Sequence, residues 1–62
     1  MYYDVIKLTD GTMYKIGDHV LGGRIDLISL DDDGWDYKIV MEKGTMSIPK
    51  TSVLWAYAAL YR

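Results

Sequence analysis

Apolar and polar residues alternate most clearly between Trp35 and Val53. Trp35, Tyr37, Ile39 and Met41 interleave with Asp36, Lys38, Val40 and Glu42. A period of two with large apolar residues on one side predicts a strand with one buried face. Lys43-Gly44 is read as a two-residue loop, which pairs Glu42 with Thr45, Met41 with Met46 and Ile39 with Ile48. In that register every apolar residue meets another on the same face, whereas a slip by one would set Met41 against Thr45. Pro49 ends the ladder because it has no N–H to donate.

The preceding segments repeat the pattern in shorter pieces. Tyr3 to Ile16 is interrupted by Thr9-Asp10-Gly11-Thr12, and Asp-Gly between apolar runs signals a hairpin. A three-residue loop with Gly11 left-handed pairs Leu8 with Thr12, Ile6 with Tyr14 and Asp4 with Ile16. Ile6, Leu8, Tyr14 and Ile16 then share one face, and Val5 and Met13 fall on the outer one. Three glycines between Gly17 and Gly23 break regular structure, with Val20 and Leu21 expected to tuck inward. Arg24 to Leu30 reads as a strand whose apolar phase shifts between Leu27 and Ile28, as at a bulge or in a strand covered on both sides. Asp31-Asp32-Asp33-Gly34 turns the chain into Trp35. At the end, Val53 to Tyr57 suits a closing strand, while Ala56, Ala58, Ala59 and Leu60 favour helix. The expectation is a short strand with 58–62 as a helical or frayed tail.

The chain of 62 residues reads as one domain, 1–62, with an all-β fold. A chain of this length buries only roughly 60% of the surface that its unfolded form exposes. It has no Cys, so neither a disulfide nor a thiolate metal site supplements the core. All its aromatics are Tyr and Trp, which suit half-buried and interface positions. No apolar run approaches the ~18 residues of a membrane span, and the N-terminus lacks the basic start of a signal peptide. A cytoplasmic protein without membrane contact is expected. The net charge is −2, and Lys7, Lys15, Arg24, Lys38, Lys43, Lys50 and Arg62 are scattered singly. Nucleic-acid backbones are tracked by clustered cations, so nucleic acid is the less favoured partner.

The order of these features resembles an SH3-like small β-barrel. Met1-Tyr2-Tyr3-Asp4-Val5 sits where SH3 domains carry Ala-Leu-Tyr-Asp-Tyr. Met13-Tyr14-Lys15-Ile16-Gly17-Asp18 matches the apolar return to Gly-Asp, and Asp32-Asp33-Gly34-Trp35-Asp36 matches the acidic loop before Gly-Trp-Trp. Ile48-Pro49-Lys50-Thr51-Ser52-Val53 matches Ile-Pro-x-x-Tyr-Val in spacing. The resemblance implies five antiparallel strands closed into a barrel and a partner groove that includes Tyr3, Trp35 and Pro49, with Asp33 in the acidic loop beside it. The chain departs from the family at Val5 and Ser52, which replace two groove tyrosines, and at His19 to Arg24, which looks like an insertion.

Other chemistry is sparse. Asp31, Asp32, Asp33 and Asp36 lack the EF-hand spacing, because reading Ser29 as position one puts Val40 at twelve. His19 is the single histidine, with no motif that sets a nucleophile against it. Neither a cofactor nor catalysis is expected. Tyr2, Tyr3, Trp35, Trp55 and Tyr57 exceed what so small a core encloses; Trp55 is read as packing beneath the last strand or across a dimer contact. The expected function is a non-enzymatic protein-interaction module, with Tyr3, Trp35, Pro49 and Asp33 as binding residues. Size alone suggests a small regulatory or inhibitory protein of the kind that phages and mobile elements encode. The alternatives are a nucleic-acid-associated barrel and a structural homo-oligomer.

Overall fold

Alternation of apolar and polar residues yields strands almost throughout. A computed structural model describes residues 1–58, with eight strands and one 3-10 turn. In chain order the strands are β1 (Tyr2–Tyr3), β2 (Val5–Leu8), β3 (Met13–Lys15), β4 (His19–Val20), β5 (Gly23–Leu30), β6 (Asp36–Met41), β7 (Gly44–Pro49) and β8 (Val53–Tyr57). Every pairing is antiparallel. One sheet runs β1-β5-β6-β7, with β4 also on β5, and the other runs β3-β2-β8. Five strands closed into a barrel were expected; these are instead short strands in two sheets, and among the described residues no ladder closes them into a ring. The interruptions have local causes. Asp4 separates β1 from β2, so the N-terminal run serves both sheets, and the 3-10 turn Lys50–Ser52 carries the chain from β7 to β8. Pro49 is the last residue of β7, as its missing N–H requires.

Ile6, Ile25, Ile28, Ile39, Ile48 and Tyr37 form the buried core. Burial of each such side chain contributes roughly 1.5–3 kcal/mol. The β2–β3 hairpin has the expected register: Ile6 opposes Tyr14, the Leu8 N–H donates to the Thr12 carbonyl, and Gly11 is left-handed at φ 94°. A bulge in β5 lies between Ile25 and Leu27, slightly earlier than the phase break in the pattern. It lets Ile25 and Ile28 both point inward while Asp26 remains at the surface, paired with Arg24 at 2.8 Å.

The β6–β7 hairpin differs from expectation by two residues. Met41 opposes Gly44, Ile39 opposes Met46 and Tyr37 opposes Ile48, so Glu42-Lys43 is the loop rather than Lys43-Gly44. The shift is even, so the inward set is preserved. Its cause lies at the β4–β5 turn and the start of β5: the Glu42 N–H donates to the Arg24 carbonyl (3.1 Å), the Lys43 N–H to the Gly22 carbonyl (2.9 Å), and the Glu42 carboxylate accepts from the Arg24 N–H (2.6 Å).

Trp35, Leu21 and Trp55 are among the large apolar residues at the surface. Trp35 precedes β6 and is 73% exposed, because the sheet and its core stop at Asp36 and Tyr37. Leu21 sits at the tip of the β4–β5 turn, with its side chain fully in solvent. Trp55 lies on the outer face of β8, since the inward positions of that strand are Val53 and Ala56. Ala58 follows β8 without regular structure; the rest of the expected 58–62 tail lies outside the described residues.

Candidate functional site

The Asp31–Trp35 turn is built from its own polar groups. The Gly34 N–H donates to the Asp31 carbonyl (2.9 Å), and Gly34 takes φ 77°. The Asp31 N–H reaches the Asp36 carbonyl at 2.9 Å, closing the mouth of the β5–β6 hairpin. The Asp33 carboxylate accepts the Trp35 N–H at 2.9 Å, and the Trp35 carbonyl accepts the Lys50 N–H at 2.9 Å. The backbone of Trp35 is thus held on both sides while its indole stays in solvent.

Beside it, the β6–β7 register sets Asp36 opposite Pro49, and the 3-10 turn begins at Lys50. Trp35, Asp36, Pro49, Lys50 and Thr51 line an open groove of about 370 Å³. Its lining combines the aromatic Trp35 and the apolar Pro49 with one acidic residue, Asp36, and one basic residue, Lys50. This chemistry suits an extended segment that offers one apolar residue with polar neighbours. Trp35 and Pro49, both read from the sequence, do come together here. Asp33 positions Trp35 through its backbone. Asp36, Lys50 and Thr51 were missed: the expected register sets Asp36 opposite Thr51, and only the observed one sets it opposite Pro49.

Tyr3 is elsewhere. Its ring packs on Tyr37, with centroids 5.6 Å apart and planes tilted by 59°, and its hydroxyl donates to Met1 Sδ at 3.0 Å. Burial pushes the Tyr37 hydroxyl above the usual tyrosine range, reinforced by the charge and hydrogen bond of Tyr3. Val5 and Ser52 are also outside the groove lining: Val5 is on β2, and Ser52 ends the 3-10 turn with its carbonyl accepting the Thr9 N–H.

A second groove, of about 310 Å³, is lined by Tyr14, Val20, Leu21, Gly22, Met41 and Met46. Met41 packs so closely on Gly22 that a Cβ there would lie 2.6 Å from its sulfur. The alternating pattern gave no sign of this groove, because its walls come from different hairpins. In the acidic turn, Asp31 lies 3.6 Å from the Lys38 ammonium. Among the described residues, no three His, Cys, Asp or Glu side chains are grouped to hold a metal ion, and no helix is long and apolar enough to cross a membrane.

Comparisons with protein-family models, with curated proteins and with solved structures found no significant match.

Proposed function

We propose that this chain is a non-enzymatic interaction module of SH3-like design that holds an extended protein segment in the Trp35–Pro49 groove. The exposed indole of Trp35 carries the proposal: it is 73% exposed, yet its main chain is fixed by Asp33 and Lys50. A large, rigidly presented aromatic is the residue type that anchors protein interfaces. The SH3-like design is supported by chain order: an acidic turn before Trp35, a hairpin ending in Ile48-Pro49, a 3-10 turn and a last strand against the first sheet-crossing segment. Binding is favoured over catalysis because the groove lining contains neither a histidine nor a pair of carboxylates to poise a proton transfer. A module of this kind suits a regulatory or inhibitory role, exerted by occupying a partner surface.

The test is partner capture by wild-type and variant protein from the native host. Trp35→Ala is expected to weaken capture by about 30-fold or more, as for an anchor residue, with an unchanged melting temperature. Tyr3→Ala is expected instead to lower the melting temperature, because its ring supports Tyr37. Undiminished capture by a folded Trp35→Ala protein would remove the basis of the proposal.

A further inference from the structure

The outward face of the β3-β2-β8 sheet carries a pattern that the groove does not use. The register aligns Lys15, Val5 and Tyr57 in one row, and Met13, Lys7 and Trp55 in the next. Ile6, between Val5 and Lys7, is fully buried opposite Tyr14 and Ala56, so its neighbours point away from the core. Met13, Trp55 and Tyr57 are 50%, 41% and 57% exposed. Neither Lys7 nor Lys15 makes an ion pair with a described residue. None of the six aligned residues is acidic. Of the carboxylates near this sheet, Asp10 lies at the hairpin tip and accepts the Thr12 N–H, while Asp4 and Asp18 lie beyond the ends of β2 and β3.

We infer that this face binds single-stranded nucleic acid, with bases stacked on Trp55 and Tyr57 and phosphates drawn to Lys7 and Lys15. Two residues apart on one strand, the rings stand roughly 7 Å from each other. That is about twice the ~3.4 Å rise between stacked bases, a spacing that suits an unstacked strand giving one base to each ring. The charge on the face selects this occupant over a protein. Lys7 lies on the middle strand between Met13 and Trp55, whereas the centres of protein interfaces are depleted in lysine. Two copies meeting face to face would also bring four ammonium groups together. The chain is acidic overall, but Asp31, Asp32, Asp33 and Asp36 are gathered at the β5–β6 turn, in another sheet. The inference uses residues distinct from the Trp35 groove, so either reading can fail alone.

Fluorescence anisotropy of a labelled oligothymidylate and a labelled oligouridylate, titrated with the intact chain at low salt, tests it. Single strands are expected to bind more tightly than a duplex of equal length. Trp55→Ala and Tyr57→Ala should each weaken binding by about tenfold or more. Lys7→Gln and Lys15→Gln should each reduce the slope of log affinity against log salt by about 0.7. These side chains are exposed or reach the surface, so all four variants should keep the melting temperature; if a ring variant does not, the two lysine variants still decide. Trp35→Ala should leave oligonucleotide binding unchanged. No binding at low salt would overturn the inference, as would equal affinity for duplex, or undiminished binding by the folded variants. A dimer seen by sedimentation equilibrium that Trp55→Ala abolishes would assign the face to a second copy instead.

Discussion

Tyr37 shows how one residue couples packing to pH. It is 7% exposed, and burial, then Tyr3, raises the pKa of its hydroxyl. In the unfolded chain a tyrosine loses its proton near pH ~10, while the native protein holds it to higher pH. Over that interval the unfolded state binds fewer protons, so stability falls as pH rises. The urea midpoint of the wild type should therefore decline above about pH 10, and Tyr37→Phe should flatten that decline. An identical alkaline decline in the variant would show that other groups cause it. At this scale the sequence was most informative about sidedness. Tyr37, Ile39 and Ile48 face inward as their alternation required. Trp35 has the same parity but lies beyond the end of the sheet. Alternation specifies which side a residue takes, not whether anything covers it.

At the scale of elements, the meeting of the β4–β5 and β6–β7 turns decides a register that the sequence left open. Gly23 has φ 93°, and a Cβ there would lie 2.8 Å from Glu42 Oε1, the atom that accepts the Arg24 N–H. Gly11 has a similar φ of 94°, but a Cβ there would meet nothing within 4 Å. Each Gly→Ala change costs about 1–2 kcal/mol for a left-handed L-residue. Gly23→Ala should cost more than Gly11→Ala, because it also displaces the side chain that fixes Glu42-Lys43 as the loop. Chemical denaturation of the two variants checks this, and the reverse order would contradict it. Thr9-Asp10-Gly11 was legible because Asp-Gly turn chemistry is local and one loop length aligns the faces. The second hairpin was not, because its loop is chosen by the carbonyls of Gly22 and Arg24, far earlier in the chain.

Across the whole molecule, the core is isoleucine and one tyrosine, and both tryptophans lie outside it. Native tryptophan emission should therefore already resemble that of the unfolded chain and be readily quenched by acrylamide. A strongly blue-shifted emission that resists quenching would show the indoles to be enclosed. Because Ile6 from one sheet and Ile25, Ile28, Ile39 and Ile48 from the other share one core, the sheets should unfold together, giving one far-UV transition.

By itself the sequence determined the all-β class, the inward set around Tyr37 and Ile39, and the first hairpin with its left-handed glycine. These follow from interactions within a few residues, where alternation and turn chemistry suffice. Only the tertiary structure decided that Trp35 meets Pro49 without Tyr3, that Glu42-Lys43 is the second loop, and that Lys7, Lys15, Trp55 and Tyr57 share a face. Residues scattered along the chain become neighbours through strand pairing, and the backbone contacts that set such pairing lie far apart in sequence.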